Sequence, residues 1–221
     1  METKIIGQSV QKKPILAHIW NKKSKVNILI LGGVHGDETE GVAASLGVLQ
    51  SIFDHYPFSF NLTLIPCLNP DGLFAKTRQN ANGVDLNRNL KTEDWSPEFT
   101  KFRYYPGKKP LSEPENLALM TILDSCEFQF IFTLHSWKPM LNTNGDCSQI
   151  QDVLTEMTGY KIVPDIGYPT PGSLGAFGAT DRKIPTLTYE FEKGMDQEEI
   201  INVHVPALMK ALAACEKRFC K

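Results

Sequence analysis

The stretch Ile28–Gly41, ILILGGVHGDETEG, restricts the fold of this chain more than any other. Ile28-Leu29-Ile30-Leu31 is continuous rather than alternating, the pattern of a strand buried on both faces. Two glycines end it. Asp37 and Glu40 then have the spacing of a helix N-cap and its capping-box partner, and Val42, Leu46, Leu49 and Phe53 follow at helical intervals. This predicts a helix with Glu38 in its first turn and His35 in the loop just before it. Side chains three apart on one turn face the same way, and the positive end of the helix favours an ionised Glu38. An imidazole and a carboxylate aimed together from the end of a buried strand make two of the three protein ligands of a catalytic zinc site. An H-x-x-E pattern is common by itself, so the rest of the chain has to supply the third ligand and the chemistry.

Taken in order, the chain alternates strands and helices. Pro14–Trp20 reads as a strand with a structural His18, and Phe60–Leu68 as a second buried strand. From Asn69 to Ser112 periodicity gives way to loop signals, NPDG, NANG and PGKKP; a loop of that length inside a compact domain points to function. Ser112 and Glu115 form another capping-box pattern ahead of a helix over Leu117–Leu123. Phe128–Leu134 predicts a strand with His135 at its C-terminal end, Cys147–Thr158 a helix, and Pro185–Glu192 a strand with Glu190 and Glu192 on one side of it. A last helix runs from Asp196, interrupted or restarted at Pro206. The expected fold is α/β, a mostly parallel or mixed central sheet with helices on both faces, in one domain over 1–221. In such sheets ligands gather beyond the carboxyl ends of the strands. His35 and His135 each follow a predicted strand and Glu190 lies near the end of a third, so His35, Glu38 and His135 are the candidate ligands of one Zn2+ ion, with one position left for water. A carboxylate that does not ligate the metal is then needed to move protons; Glu190 is the first choice and Glu192 the reserve.

Bulk properties exclude several function classes. With 42% hydrophobic and 22% charged residues and a net charge of −2, nothing points to nucleic acid or an anionic membrane surface. No apolar run approaches the ~20 residues of a membrane span. The N-terminus has lysines but no apolar signal region. Five scattered cysteines without a C-x-x-C pair read as reduced thiols, which favours the cytoplasm. Oligomeric state stays open.

GGVHGDETEG, NPDG, RQNANGVDLNRN, the strand-end His135 and TYE at 188–190 resemble, in chain order, the zinc carboxypeptidase superfamily. YPTPGSLG at 168–175 and LSEPE at 111–115 resemble more narrowly the bacterial murein peptide amidases, which cleave the γ-D-glutamyl–diaminopimelate bond of cell-wall peptides. The resemblance spans roughly residues 28–192. It implies that His35, Glu38 and His135 hold zinc, that Arg78 polarises the scissile carbonyl, and that Asn87 and Arg88 hold a substrate carboxylate. It also implies that Tyr168 closes over the substrate, a small cell-wall peptide, and that Glu190 is the catalytic acid-base group. Leu90-Lys91 and the Ser-Trp-Lys-Pro after His135 depart from the pattern, and Trp137 alters the substrate-side wall. An N-acyl amino-acid deacylase of the succinylglutamate desuccinylase or aspartoacylase type shares the GGxHGxE opening, but NPDG, YPTPGS and the short chain speak against it. A non-catalytic peptide-binding module is the third reading, disfavoured by the full ligand set and Glu190.

Overall fold

The apolar run at 28–31 becomes β3 (Asn27–Gly32), a central strand of a seven-stranded sheet in the computed structural model, which describes residues 1–220. The other strands are β1 (Glu2–Gln8), β2 (Pro14–Trp20), β4 (Asn61–Ile65), β5 (Phe130–Trp137), β6 (Met140–Asn144) and β7 (Thr186–Glu192). Their order is β1-β2-β4-β3-β5-β7-β6. The neighbours β4–β3, β3–β5 and β5–β7 are parallel, whereas β1–β2, β2–β4 and β7–β6 are antiparallel. The sheet is therefore mixed, with its parallel pairings at the centre.

Both faces of β3 are apolar because both are covered. Ile28 and Ile30 share one core with Phe130, Phe132 and Tyr189 of the neighbouring strands. Against it pack α1 (Thr39–Ser51), α4 (Ile150–Thr158) and α7 (Val205–Phe219). Leu29, Leu31 and Ile131 point the other way, into a second core closed by Leu119 and Ile122 of α3 (Pro114–Leu123). Burial of this kind contributes about 25 cal/mol per Å² of apolar surface, and alternating side chains from one strand supply it to both layers. Among the described residues no helix is long and apolar enough to cross a membrane.

Several local expectations are corrected. Helix α1 starts at Thr39, so Glu38 is its N-cap residue and not part of its first turn, and no side chain caps it. Asp37 and Glu40 are used elsewhere: Asp37 pairs with Lys193 at 2.8 Å, and Glu40 accepts from the Ser136 hydroxyl at 2.6 Å and from the Gly194 amide. The buried face of α1 is made of Gly41, Val42, Ala44, Ser45 and Val48, while Leu46 and Phe53 are exposed. Small residues win that face because α1 lies close to the sheet: a Cβ on Gly41 would meet the Leu134 carbonyl.

The Ser112/Glu115 capping box does not form either. Helix α3 begins at Pro114, and the buried Glu115 accepts from the Val10 amide and from Asn80 Nδ2, each at 3.0 Å. Within the long loop NPDG opens a short helix, α2 (Pro70–Ala75), capped by Asn69, whose Oδ1 accepts from the Gly72 amide at 2.9 Å. Two further short helices are α5 (Leu174–Ala176), which continues as a π turn over Phe177–Asp181, and α6 (Gln197–Glu199). Asp196 caps α6, and a π turn at Ile200–His204 joins it to α7. Pro206 thus falls in the first turn of α7, where its missing N–H costs little. His18 sits across from Thr3 on β1, 3.0 Å from its hydroxyl.

Candidate active site

Three parallel strands deliver the site. β3 ends at Gly32 and leads into His35 and Glu38, β5 carries His135, and β7 carries Glu190 directly opposite His135 in the parallel register. One close approach fixes the first of these turns. A Cβ on Gly36 would collide with the Gly72 backbone, so GGVHG and NPDG pack main chain to main chain. Asn69 adds to this clamp by donating to the Val34 carbonyl at 3.3 Å.

His35, Glu38 and His135 are buried and converge, with one donor atom from each lying within 4.8 Å of the others. The Nδ1 atoms of His35 and His135 are 3.1 Å apart. Glu38 lies between them, Oε1 2.8 Å from His35 Nδ1 and Oε2 2.7 Å from His135 Nδ1. Two imidazole nitrogens and a carboxylate aimed at one point suit a divalent cation of zinc type. The far side of His35 strengthens the fit. Its Nε2 lies 3.0 Å from the buried Asp85 Oδ1, the carboxylate–histidine arrangement that fixes the ring and leaves Nδ1 to coordinate. Burial works against the charge on Glu38, but the two imidazoles and their hydrogen bonds outweigh it and hold the carboxyl well below the usual range. Burial also opposes charge on Asp85, and Arg78 and His35 overcome it.

Around this centre lies a cavity of about 340 Å³ lined by Arg78, Asn87, Arg88, Tyr168 and Glu190 among others. The Arg78 guanidinium donates to Glu38 Oε1 at 3.2 Å and to Asp85 Oδ2 at 3.0 Å. Arg88 follows Asn87 in a 3₁₀ turn (Leu86–Arg88) capped by Asp85, and Asn87 Oδ1 accepts from the Leu174 amide at 2.8 Å. Tyr168 meets Trp137 edge to face at 6.2 Å between ring centroids. Glu190 Oε2 is buried and has no hydrogen-bond partner among the described residues. Burial, helped by Glu38, pushes its pKa up to about 7 against the opposing pull of His135 and Arg78. Glu192 is exposed and does not line the cavity.

The structure also assigns places to residues that the sequence left unranked. Asp85 supports both His35 and Arg78, yet an aspartate in an asparagine-rich loop reads as a turn residue, and only its position inside DLNRN marked it. Three loop and turn acids lie outside the cavity. Asp146 pairs with Arg218, Asp165 accepts from the Gly167 amide and Asp181 from the Glu93 amide. Asn142, Asn144, Ser173 and Thr188 are among the residues that line the cavity.

A mixed α/β sheet that gathers two histidines, a glutamate, an arginine and a second glutamate with a buried, unpartnered oxygen at its carboxyl edge defines a metal-dependent hydrolase of the carboxypeptidase type. Residues 1–199 match the zinc carboxypeptidase family, peptidase M14, and the chain belongs to it. It is 30% identical over 200 residues to murein peptide amidase A of Escherichia coli K12, covering 86% of this chain and 81% of that protein. To the murein peptide amidase A of Vibrio campbellii it is 30% identical over 218 residues, covering 93% and 85%. The crystal structure of murein-tripeptide amidase MpaA from E. coli O157 superposes with a TM-score of 0.82 at 26% identity, covering 96% of this chain and 92% of that one. The chain is thus a hydrolytic enzyme, an amidase or peptidase of the zinc carboxypeptidase family.

Proposed function

We propose that this enzyme hydrolyses the γ-D-glutamyl–meso-diaminopimelate bond of a murein tripeptide, with His35, Glu38 and His135 holding one zinc ion. The observation that carries the substrate choice is the neutral polar lining of Asn142, Asn144, Ser173 and Thr188 in the cavity beside those ligands. It suits a leaving half whose side chain ends in a zwitterion better than one ending in a hydrocarbon or a lone cation. The names of the amidases it resembles point the same way.

When bound, the ion supplies Lewis-acid activation of water and of the scissile carbonyl. Arg88, with the free amide nitrogen of Asn87, binds the α-carboxylate of the leaving half; a forked guanidinium gives such a pair both orientation and affinity. Arg78 turns from Glu38 to the carbonyl oxygen and stabilises the charge that develops there. Glu190 takes a proton from the attacking water and passes it to the departing nitrogen, a task suited to a carboxylate whose pKa burial has raised. Tyr168 and Trp137 cover the mouth. A cytoplasmic setting is part of the same proposal, supported by the scattered thiols of the sequence.

The test is incubation of zinc-loaded protein with L-Ala-γ-D-Glu-meso-diaminopimelate and chromatography for free diaminopimelate. Release is expected; its absence would remove the substrate claim. N-succinylglutamate and N-acetylaspartate serve as the competing substrates, whose preferred turnover would reverse the assignment.

A further inference from the structure

We infer that Arg103 reads a second carboxylate of the substrate, the one on the residue that contributes the scissile carbonyl. This rests on the amidase reading and names what selects the acyl half. Of the basic side chains that line the cavity, Arg78 is paired with Glu38 and Asp85, and Lys193 with Asp37. Arg88 donates only to its neighbouring Asn87 carbonyl, at 2.7 Å. Arg103 makes no hydrogen bond and no ion pair among the described residues. Two guanidinium groups therefore face one cavity without an acid of their own. The distal zwitterion of the leaving half balances its own charge, which leaves two carboxylates without an ammonium beside them, the α-carboxylate of the leaving half and that of the D-glutamyl residue, one for each cation.

The position of Arg103 is set even though its side chain is exposed. It belongs to a 3₁₀ turn, Phe102–Tyr104, tied to the loop that carries Arg78 and Asp85. Gln79 Nε2 donates to the Phe102 carbonyl at 2.7 Å, and the Asp85 amide donates to the Tyr105 carbonyl at 2.8 Å. Phe102 and Tyr105, on either side of Arg103 in sequence, stack at 5.8 Å between ring centroids. The Tyr104 ring is the common neighbour of all three arginines, with guanidinium carbons at 5.4 Å for Arg78, 5.7 Å for Arg88 and 5.4 Å for Arg103. Cations over an aromatic face are held by its quadrupole and keep their hydrogen-bond donors free for an anion. With Arg78 on the carbonyl and Arg88 on the leaving half, the third member of the group is left to the acyl half. A γ-linked glutamyl residue has its α-carboxylate free a short chain away from the scissile carbonyl, and that is the group Arg103 would take.

The experiment compares two tripeptides that differ only at that carboxylate, L-Ala-γ-D-Glu-meso-diaminopimelate and the analogue with the D-glutamyl α-carboxylate amidated. kcat/KM is measured for the wild type, Arg103→Gln and Arg103→Lys. Binding of both peptides is measured by calorimetry in a Glu190→Gln background with and without Arg103→Gln. The wild type should prefer the free acid by roughly tenfold, the scale of one hydrogen-bonded charge pair. Arg103→Gln should erase most of that preference while leaving the amidated peptide unaffected, and Arg103→Lys should keep part of it. Cleavage of both peptides with the same preference in Arg103→Gln would overturn the inference and spare the amidase reading. A carboxylate preference seen in binding and lost in Arg103→Gln, without cleavage, would overturn the amidase reading and support the role of Arg103. No preference in the wild type, in either assay, would overturn the inference.

Discussion

Glu190 and Glu192 show how much of a side chain's chemistry is decided by where its strand ends. Both project from the same side of β7, two residues apart, and composition cannot rank them. Glu190 faces His135 across the β5–β7 pairing and is enclosed, with one oxygen unpartnered, whereas Glu192 lies past the cavity in solvent. Removing a positioned general base costs on the order of 10²–10⁴ in rate. Glu190→Gln should therefore abolish most turnover while zinc content, measured by plasma mass spectrometry, stays at wild-type level, since Glu190 is not among the converging donors. Glu192→Gln should leave kcat near the wild-type value. Loss of activity in Glu192→Gln with Glu190→Gln active would exchange the two roles.

At the scale of elements, the site depends on two places where the main chain must come unusually close. Gly36 against Gly72 is one. The other is Gly172, in YPTPGS, which has φ +71° and whose missing side chain leaves room for the Arg88 carbonyl. The Leu90 amide donates to the Gly172 carbonyl at 3.0 Å, and the Gly172 amide to Thr92 Oγ1 at 3.0 Å. This joint seats the Tyr168–Ser173 loop on the segment that carries Arg88. Gly172→Ala adds a Cβ at a conformation unfavourable for it and into an occupied space, so a loss of about 1–3 kcal/mol is expected. KM for the tripeptide should rise by a larger factor than kcat falls if the loop and Arg88 bind substrate as proposed. An unchanged KM and an unchanged urea midpoint would show that the joint is not needed.

For the molecule as a whole, stability should depend on a histidine far in sequence from the candidate metal ligands. His204, 1% exposed, ends the π turn ahead of α7, with its Nδ1 2.6 Å from the Tyr189 hydroxyl and the Tyr160 and Phe191 rings 5.2 and 5.3 Å away between centroids. Burial pushes its pKa down to about 4. An unfolded histidine titrates near 6.5, so between these values the unfolded chain binds the extra proton. Stability is then full above about 6.5 and is lost as pH falls toward 4, at no more than about 1.4 kcal/mol per pH unit. Urea midpoints from pH 7.5 to 4.5 should fall more steeply for the wild type than for His204→Gln. Parallel curves would assign the acid sensitivity to other groups.

Pattern within the chain was enough for the layered α/β architecture and for singling out His35, Glu38 and His135 as one group, because buried strands and residues at their ends obey local periodicities that survive any tertiary context. β3, β2 and β7 are legible for that reason, as is the convergence of His35, Glu38 and His135. What escaped depended on partners distant in sequence. β1 is a mostly exposed edge strand, and β6 spends Asn142 and Asn144 on the cavity wall, so neither has an apolar signature. The two capping boxes failed because Glu40 and Glu115 found partners near Ser136 and Val10, bonds that no local spacing encodes. The sequence determined which elements form and which edge of the sheet carries chemistry. The tertiary structure alone decided which charges remain without partners there, since a neutralising neighbour can come from any part of the chain.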